Sequence, residues 1–421
     1  MHRNTRCTME VLHSPISASA ARCPQLSARL QHRIETEFSA RLRDEWGGKF
    51  VTHGRVPLTN DVRLDGNDYL SITGHPDIVQ AQLASIRSDR EFVLQSGVFQ
   101  LEGNSAWQLE RALCDWLGVQ DGLLCQSGYT ANLGLLQVVA DADTPVYMDS
   151  LAHMSLWEGA RAAQAPVHAF RHNDPAHLER MMARHGAGLV VVDSVYSTTG
   201  ALCPLREIVE AAERNGSMIL VDESHSVGTH GPVGAGLCAQ LGLTHRVQFI
   251  TCSLAKAFAG RAGFFSMPVE LRNYLMCHSF PSIFSSCLLP HEVAGLRATL
   301  EVVKRSDDAR RKLFANTRRL RASLSDLGYP IHQGSEQIIS LEAGLEFDTL
   351  ALRDALEAQG VVGSVFCAPA TSRNRAMVRL TLNAGLTGPE LDHVESAARI
   401  VAAKVKPWEW PIARRNRAAQ S

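Results

Sequence analysis

Between residues 145 and 222 short apolar runs alternate with helical patterns. Pro145 to Asp149, Val167 to Phe170, Gly188 to Asp193 and Met218 to Asp222 read as strands, and helices start at His153, Asp174 and Leu205. Apolar runs this short are strands buried on both faces, and their alternation with helices predicts a mainly parallel sheet between helical layers. Such a sheet gathers its ligand-binding groups beyond the carboxyl ends of its strands. Upstream, Asn104 to Leu117 has a helical pattern capped by Asn104 or Ser105 and followed by Gly118. Gly122 to Gln126 is a further strand, broken by Ser127-Gly128-Tyr129 before a helical run from Thr130.

Both flanks have different periods. Leu26, Leu30, Ile34, Phe38 and Leu42 recur at steps of four within Pro24 to Trp46, an apolar stripe on one helix that packs on the main body or on a partner subunit. Beyond Ser285-Ser-Cys-Leu-Leu-Pro290 a helical pattern runs to about Leu327, interrupted near Asp307. Strands over Ile338 to Glu342, Val361 to Phe366 and Met377 to Leu382, with helices over Thr349 to Ala358 and Pro389 to Ala403, make a small α+β unit. The predicted class is α/β, in three parts: an N-terminal extension and helical segment over 1–75, a large domain over 76–290, and a bridging helix with a smaller C-terminal α+β domain over 291–421.

Composition narrows the function classes. Of 421 residues 45% are hydrophobic, ample for a sizeable core. Forty-two basic against 43 acidic residues leave a formal charge of −1, so no broad field favours nucleic acid or a membrane surface. Ten cysteines at irregular spacing, with no Cys-x-x-Cys, suit a reducing compartment better than a disulfide framework or a structural zinc site. Neither a membrane span nor the apolar centre of a signal peptide is present, so the expected location is cytoplasmic, with residues 1–23 a loose extension. His225, His230 and Cys238 lack ligand pairs at tight spacing, so no metal is expected. Gly234-Ala-Gly236-Leu-Cys-Ala239 fits a dinucleotide fingerprint superficially but has no strand before it.

The candidate chemistry centres on Phe249-Ile-Thr-Cys-Ser-Leu-Ala-Lys256-Ala-Phe-Ala-Gly, where one lysine sits among small and apolar neighbours. Burial favours the neutral amine by up to ~3–5 pKa units, and a neutral amine can condense with an aldehyde. Upstream by 34 residues, the run Met218-Ile-Leu-Val-Asp222 ends in an acid, and His225 follows three residues later. An acid at a strand end suits the ring nitrogen of pyridoxal phosphate, whose protonation lets the ring draw electrons from a substrate carbon. Asp-x-x-His followed by Ser253-x-x-Lys256 is a fairly specific constellation for that cofactor.

The same segments resemble the α-oxoamine synthases, pyridoxal phosphate enzymes of fold type I that join an amino acid to an acyl-CoA with loss of carbon dioxide. Within them the chain is most similar to the quorum-sensing α-hydroxyketone autoinducer synthases of the CqsA type. The match is carried by Ala152-His-Met-Ser-Leu-Trp-Glu-Gly-Ala-Arg161, Val192-Asp-Ser-Val-Tyr-Ser-Thr-Thr-Gly200, Val221 to Pro232 and Gly363 to Thr371, and it extends from about residue 24 to about 405. The resemblance implies pyridoxal phosphate linked to Lys256, Asp222 on the ring nitrogen, His225 near the ring hydroxyl, His153 on the ring face and Ser197 on the ring oxygen. Ser127, Gly128, Tyr129 and Ser253 take the phosphate, helped by Ser285 or Ser286 of a second subunit in a homodimer with shared sites. Asn67 and Arg379 meet the amino-acid carboxylate. The implied partners are a medium-chain acyl-CoA and a small amino acid of the 2-aminobutyrate type or S-adenosylmethionine. An 8-amino-7-oxononanoate synthase, another α-oxoamine synthase or a pyridoxal phosphate aminotransferase is the alternative. Two positions depart from the wider family: Ala106, where relatives carry a histidine nearby, and Cys367-Ala368-Pro369, where biotin-pathway relatives show arginine.

Overall fold

A computed structural model describes residues 25–88, 94–331 and 333–413, so the extension over 1–23 and the tail beyond 413 lie outside the described residues. The chain divides into a unit ending at Phe50 and a unit from Val51 onward. In the first, the expected helix is continuous but not uniform. Ala28–Ile34 and Ala40–Asp44 are α-helical, and Glu35–Ser39 between them is a π-turn. A strict step of four overshoots the 3.6-residue turn, and a wider turn in the middle takes up part of the difference. Leu26, Leu30, Ile34 and Phe38 are exposed along this stripe.

In the second unit the strands are, in order, β1 (Val62–Arg63), β2 (Asp121–Cys125), β3 (Val146–Asp149), β4 (Val167–Phe170), β5 (Leu189–Asp193), β6 (Met218–Asp222), β7 (Phe249–Ser253) and β8 (Gly263–Met267). After the long helices follow β9 (Ile338–Gly344), β10 (Val361–Val362), β11 (Ser364–Phe366) and β12 (Ala376–Thr381). The main sheet has the order β2-β8-β7-β6-β5-β3-β4, and only β8 runs against its neighbours. A smaller antiparallel sheet, β11-β12-β9, lies in the C-terminal part, and β1 pairs in parallel with β10.

Side-chain alternation explains why the main strands read as continuous apolar runs. Val146, Met148, Leu189, Val191 and Leu220 enter one core cluster, whereas Tyr147, Val190, Val192, Ile219 and Val221 enter another. Successive residues point to opposite faces, and helices cover both. The mainly parallel sheet with a smaller C-terminal α+β part is therefore borne out.

Three local differences from expectation have physical causes. Gly263 to Met267 joins as an antiparallel strand directly after the Lys256 loop, which the strand-helix alternation could not foresee. Val361 to Phe366 is not one strand, because the chain changes partner at Gly363: β10 pairs with β1 and β11 with β12. A Cβ at Gly363 would lie 2.7 Å from Val378 Cγ1, so the switch needs the missing side chain. The helix expected from Thr349 starts earlier, at Glu346, with Glu346 and Asp348 in its first turn where acidic groups complement the helix dipole. The long pattern after Pro290 does break as expected, into Pro290–Lys304 and Asp307–Asp326.

Candidate active site

Five main-sheet strands end around one small cavity of about 190 Å³. β2 leads into Ser127, Gly128 and Tyr129; the turn after β3 delivers His153; β5 ends in Asp193, β6 in Asp222 and β7 in Ser253, with Lys256 three residues on. Carboxyl ends of parallel strands converge here because each helix returns along the face of the sheet. His225, Asn132, Ser155 and Ser224 complete the lining. A larger groove, of about 940 Å³ and bounded by His230, Arg310 and Phe314, contains none of this cluster.

The helix Gly128–Val139 opens on the cavity with a capping box in which Ser127 and Thr130 bond each other's side chains and backbone. The side chain of Ser127 is thus committed to the cap. The next two N–H groups, of Gly128 and Tyr129, have no partner among the described residues, and the first turn holds no acidic side chain. Such a terminus favours an anion. Gly128 is tightly required: its Cβ would fall 2.7 Å from Ser253 Cβ and 3.0 Å from Ser253 Cα.

Asp222 is buried, and both of its oxygens accept hydrogen bonds. The Ser224 N–H donates to Oδ1 at 2.8 Å and Asn132 Nδ2 to Oδ2 at 2.7 Å. Asn132 also donates to Ser155 Oγ at 2.8 Å, and Ser155 Oγ meets His153 Nδ1 at 2.7 Å. A chain of contacts therefore joins the acid to the candidate ring-stacking histidine. Asp193 lies opposite Asp222 in the strand register and accepts the His153 N–H at 3.2 Å. Burial, then the neighbouring Asp222 charge, pushes the Asp193 carboxyl well above its usual range.

Lys256 is half-buried, and burial lowers its pKa from the ordinary lysine value, against the opposing pull of Asp222 and Asp193. No ion pair or hydrogen bond engages its amine among the described residues. Burial also holds His153 and, far more strongly, His225 below the ordinary histidine value, with Lys256 acting in the same direction on both. His225 Nδ1 lies 2.5 Å from the Tyr69 hydroxyl. Burial raises the Tyr69 pKa, so the phenol keeps its proton and can donate it to His225 Nδ1. By that inference the His225 proton sits on Nε2.

A second cluster adjoins the first. Arg379, on β12, donates from Nη1 to the Ser197 carbonyl at 2.9 Å and from Nη2 to Asn67 Oδ1 at 3.2 Å, and its guanidinium lies 4.4 Å from the Phe366 ring centroid. Its Nε is buried without a partner among the described residues. Arg379, Asn67 and Ser197 are thus brought together. Ser285 and Ser286 are not part of either cluster: Ser285 Oγ donates to the Pro281 carbonyl at 2.6 Å, and the Ser286 carbonyl accepts from Gln126 Nε2 at 2.6 Å.

The family model described as aminotransferase class I and II matches residues 59–397. The chain belongs to this family. A CAI-1 autoinducer synthase of Vibrio campbellii is 45% identical over 351 residues, covering 83% of this chain and 89% of the relative. An 8-amino-7-oxononanoate synthase of Anaeromyxobacter sp. is 31% identical over 353 residues, covering 83% and 88%, and a 5-aminolevulinate synthase 2 of Cereibacter sphaeroides is 30% identical over 357 residues, covering 83% and 86%. These relatives bear out the α-oxoamine synthase resemblance within the aminotransferase family. Among solved structures, a serine palmitoyltransferase of Sphingomonas wittichii superposes with a TM-score of 0.78 at 25% identity over 90% of this chain and 98% of that one. An SPT structure with PLP gives 0.83 at 24% identity over 90% and 99%.

Sequence reasoning missed Asn132, Ser155, Asp193, Ser224 and Tyr69. Two of these were within reach of its own logic. Asp193 ends an apolar strand as Asp222 does, and Asn132 stands one helical turn after Gly128, on the same face. Tyr69 stands in Asn67-Asp-Tyr69-Leu70, a segment that resembles the family's, but its contact with His225 left no local signal because that partner is 156 residues away.

Proposed function

We propose that this protein is a pyridoxal phosphate-dependent C-acyltransferase. It condenses a medium-chain fatty acyl-CoA with a small amino acid of the 2-aminobutyrate type, or with S-adenosylmethionine, to an α-aminoketone precursor of an α-hydroxyketone signal. The reading rests on one juxtaposition, a buried, doubly hydrogen-bonded Asp222 and a half-buried Lys256 amine in the same cavity as an open helix N-terminus. The 45% identity to the CAI-1 autoinducer synthase selects this chemistry within the family.

The residues fit the cofactor by their chemistry. The unpaired N–H groups of Gly128 and Tyr129, with Ser253, suit its phosphate; Asp222 suits the ring nitrogen; the depressed Lys256 amine suits its aldehyde. When bound, pyridoxal phosphate supplies a conjugated ring that stabilises negative charge on the substrate α-carbon. Asp222 keeps the ring-nitrogen proton in place, and Asn132 and the Ser224 N–H hold Asp222. His153, fixed through Ser155, would lie against the ring face. His225 would offer its Nε2–H to the ring oxygen, joined by Ser197. Arg379, assisted by Asn67, takes the substrate carboxylate through its unpaired Nε and a neighbouring nitrogen, a planar bidentate arrangement. With the cofactor bound, the Lys256 amine would act as the general base that takes the substrate α-proton.

The same proposal includes a homodimer in which Ser285 or Ser286 reaches the neighbour's phosphate, the three-part division at 75 and 290, and a cytoplasmic location. Among the described residues no helix is long and apolar enough to cross a membrane.

Thiol release and product mass test the reading, with decanoyl-, pimeloyl- and acetyl-CoA offered alongside several amino donors. Decanoyl-CoA should be preferred, and Lys256→Ala should lower kcat by at least ~10³-fold. Preference for pimeloyl-CoA with alanine would make the protein an 8-amino-7-oxononanoate synthase. Transamination without any thiol release would make it an aminotransferase.

A further inference from the structure

A second cavity, of about 410 Å³, runs beside the edge strand β2 and is walled by Leu123, Leu124, Trp107, Val98, Met276 and Leu288. It falls within the size range of small-molecule pockets, ~300–1,000 Å³. Cys125 and Gln126 line it, and the next residues along the chain, Ser127 to Tyr129, line the Lys256 cavity. The two cavities share no lining residue, but the chain passes from one to the other between Gln126 and Ser127, just beyond the carboxyl end of β2. Gln126 Oε1 is buried there without a partner.

Charge at the far wall is cancelled. Arg272 donates from Nη1 to Asp121 at 2.7 Å and from Nη2 to Glu110 at 2.6 Å, while Arg111 also pairs with Asp121. Glu110 in turn accepts the edge N–H of Leu124 at 3.0 Å, which closes the open side of β2 without a further strand. Two arginines meet two carboxylates, so among the described residues lining the cavity no cation is left for an acyl chain ending in a carboxylate, and exposed Glu102 would repel one. An uncharged alkyl chain carries no such cost, and removing its methylenes from water is favourable. Ala106 lines the cavity, and its small side chain leaves volume that any larger residue would fill. Ala368, singled out from the sequence as a selector of the acyl end, does not line this cavity.

We propose that this cavity beside β2 holds the alkyl chain of the acyl-CoA substrate, with Ala106 and Met276 setting the accepted length. The assignment rests on the acyltransferase reading above. In the holoenzyme, thiol release is measured with hexanoyl-, octanoyl-, decanoyl- and dodecanoyl-CoA for wild type, Ala106→Phe and Met276→Ala, with circular dichroism melts to verify folding. Each methylene displaced from the cavity should cost about fourfold in kcat/KM. Ala106→Phe should therefore lower the decanoyl-to-hexanoyl ratio by at least ~10-fold. Met276→Ala should move the optimum the other way, towards dodecanoyl-CoA. Separately, decanoyl-CoA titrated without amino donor should change tryptophan fluorescence saturably, and Trp107→Phe should remove that change. Folded variants that keep the wild-type ratios would place the chain elsewhere and leave the acyltransferase reading standing. No thiol release from any acyl-CoA by wild type would defeat that reading instead, and the Trp107 titration would then decide the cavity on its own, its absence overturning the proposal.

Discussion

At the residue scale, the pair Tyr69 and His225 makes two predictions. With its phenol protonated and its donor aimed at Nδ1, Tyr69 selects the tautomer that presents Nε2–H. Tyr69→Phe leaves a buried acceptor unpaired at a cost of about 1–3 kcal/mol and lets the proton move to Nδ1. The expected outcome is a shifted cofactor absorbance band with kcat reduced about tenfold and KM little changed. An unaltered spectrum and kcat would remove the tautomer argument. The second concerns pH. Folded His225 has a pKa well below that of unfolded histidine, ~6.5, because burial and the facing Lys256, Arg379 and His153 oppose its charging. Between the two values the unfolded chain binds more protons, so this contribution to stability is complete above about pH 6.5 and is lost as pH falls towards the folded value. His153 has the same sign. Asp193, raised by burial, has the opposite one, losing stability as pH rises above ~3.8. Thermal midpoints of the apoprotein should therefore drop more steeply on acidification in wild type than in His225→Gln. Superimposable slopes would contradict a neutral buried His225.

At the element scale, the helix Gly128–Val139 does two jobs, offering N–H groups at its start and carrying Asn132 to Asp222 one turn later. Gly128→Ala would push a methyl into Ser253, and overpacking of this kind costs about 1–3 kcal/mol. Because Ser253 and the helix start share the proposed phosphate site, the strain should appear as roughly tenfold or greater weakening of pyridoxal phosphate affinity, read by absorbance titration, with the melting transition of the apoprotein still cooperative. The strands that carry Asp193 and Asp222 were legible because both of their faces are buried and the apolar run stops where the polar group begins. The elements that escaped, β1, β8 and the split at Gly363, depend on pairing partners distant in sequence or on a turn within a tight loop, and periodicity carries no record of partners. The same reason explains the site. Lys256, Asp222, His153 and His225 stand in local patterns, whereas the bonds that fix them come from Asn132, Ser155 and Tyr69 on other elements.

For the whole molecule, one surface of the second unit bears on assembly. The segments around 94–101 and 280–289 are neighbours, since the Cys287 N–H bonds the Gln95 carbonyl at 2.8 Å and Ser96 bridges Ser286. Together they expose Leu94, Phe99, Leu101, Phe280 and Phe284, with Phe284 75% exposed. Exposed apolar side chains grouped on two neighbouring segments mark an interaction site, and each such side chain contributes ~1.5–3 kcal/mol when fully buried. Ser285 and Ser286 follow Phe284 on the second of these segments and lie outside the chain's own Lys256 cavity. A second copy covering this face would bury the aromatic side chains, bring those serines towards the neighbour's phosphate and close over the β2 cavity, whose lining includes Leu101, Ser282 and Cys287. The expected hydrodynamic mass is that of two 46.0 kDa chains. Phe284→Asp, placing a charge in the contact, should yield single chains that bind pyridoxal phosphate weakly and turn over slowly, while keeping the far-ultraviolet circular dichroism of wild type. A single-chain mass for wild type with full activity on dilution would show that each site is complete within one copy, and the role given to Ser285 and Ser286 would fall with the dimer.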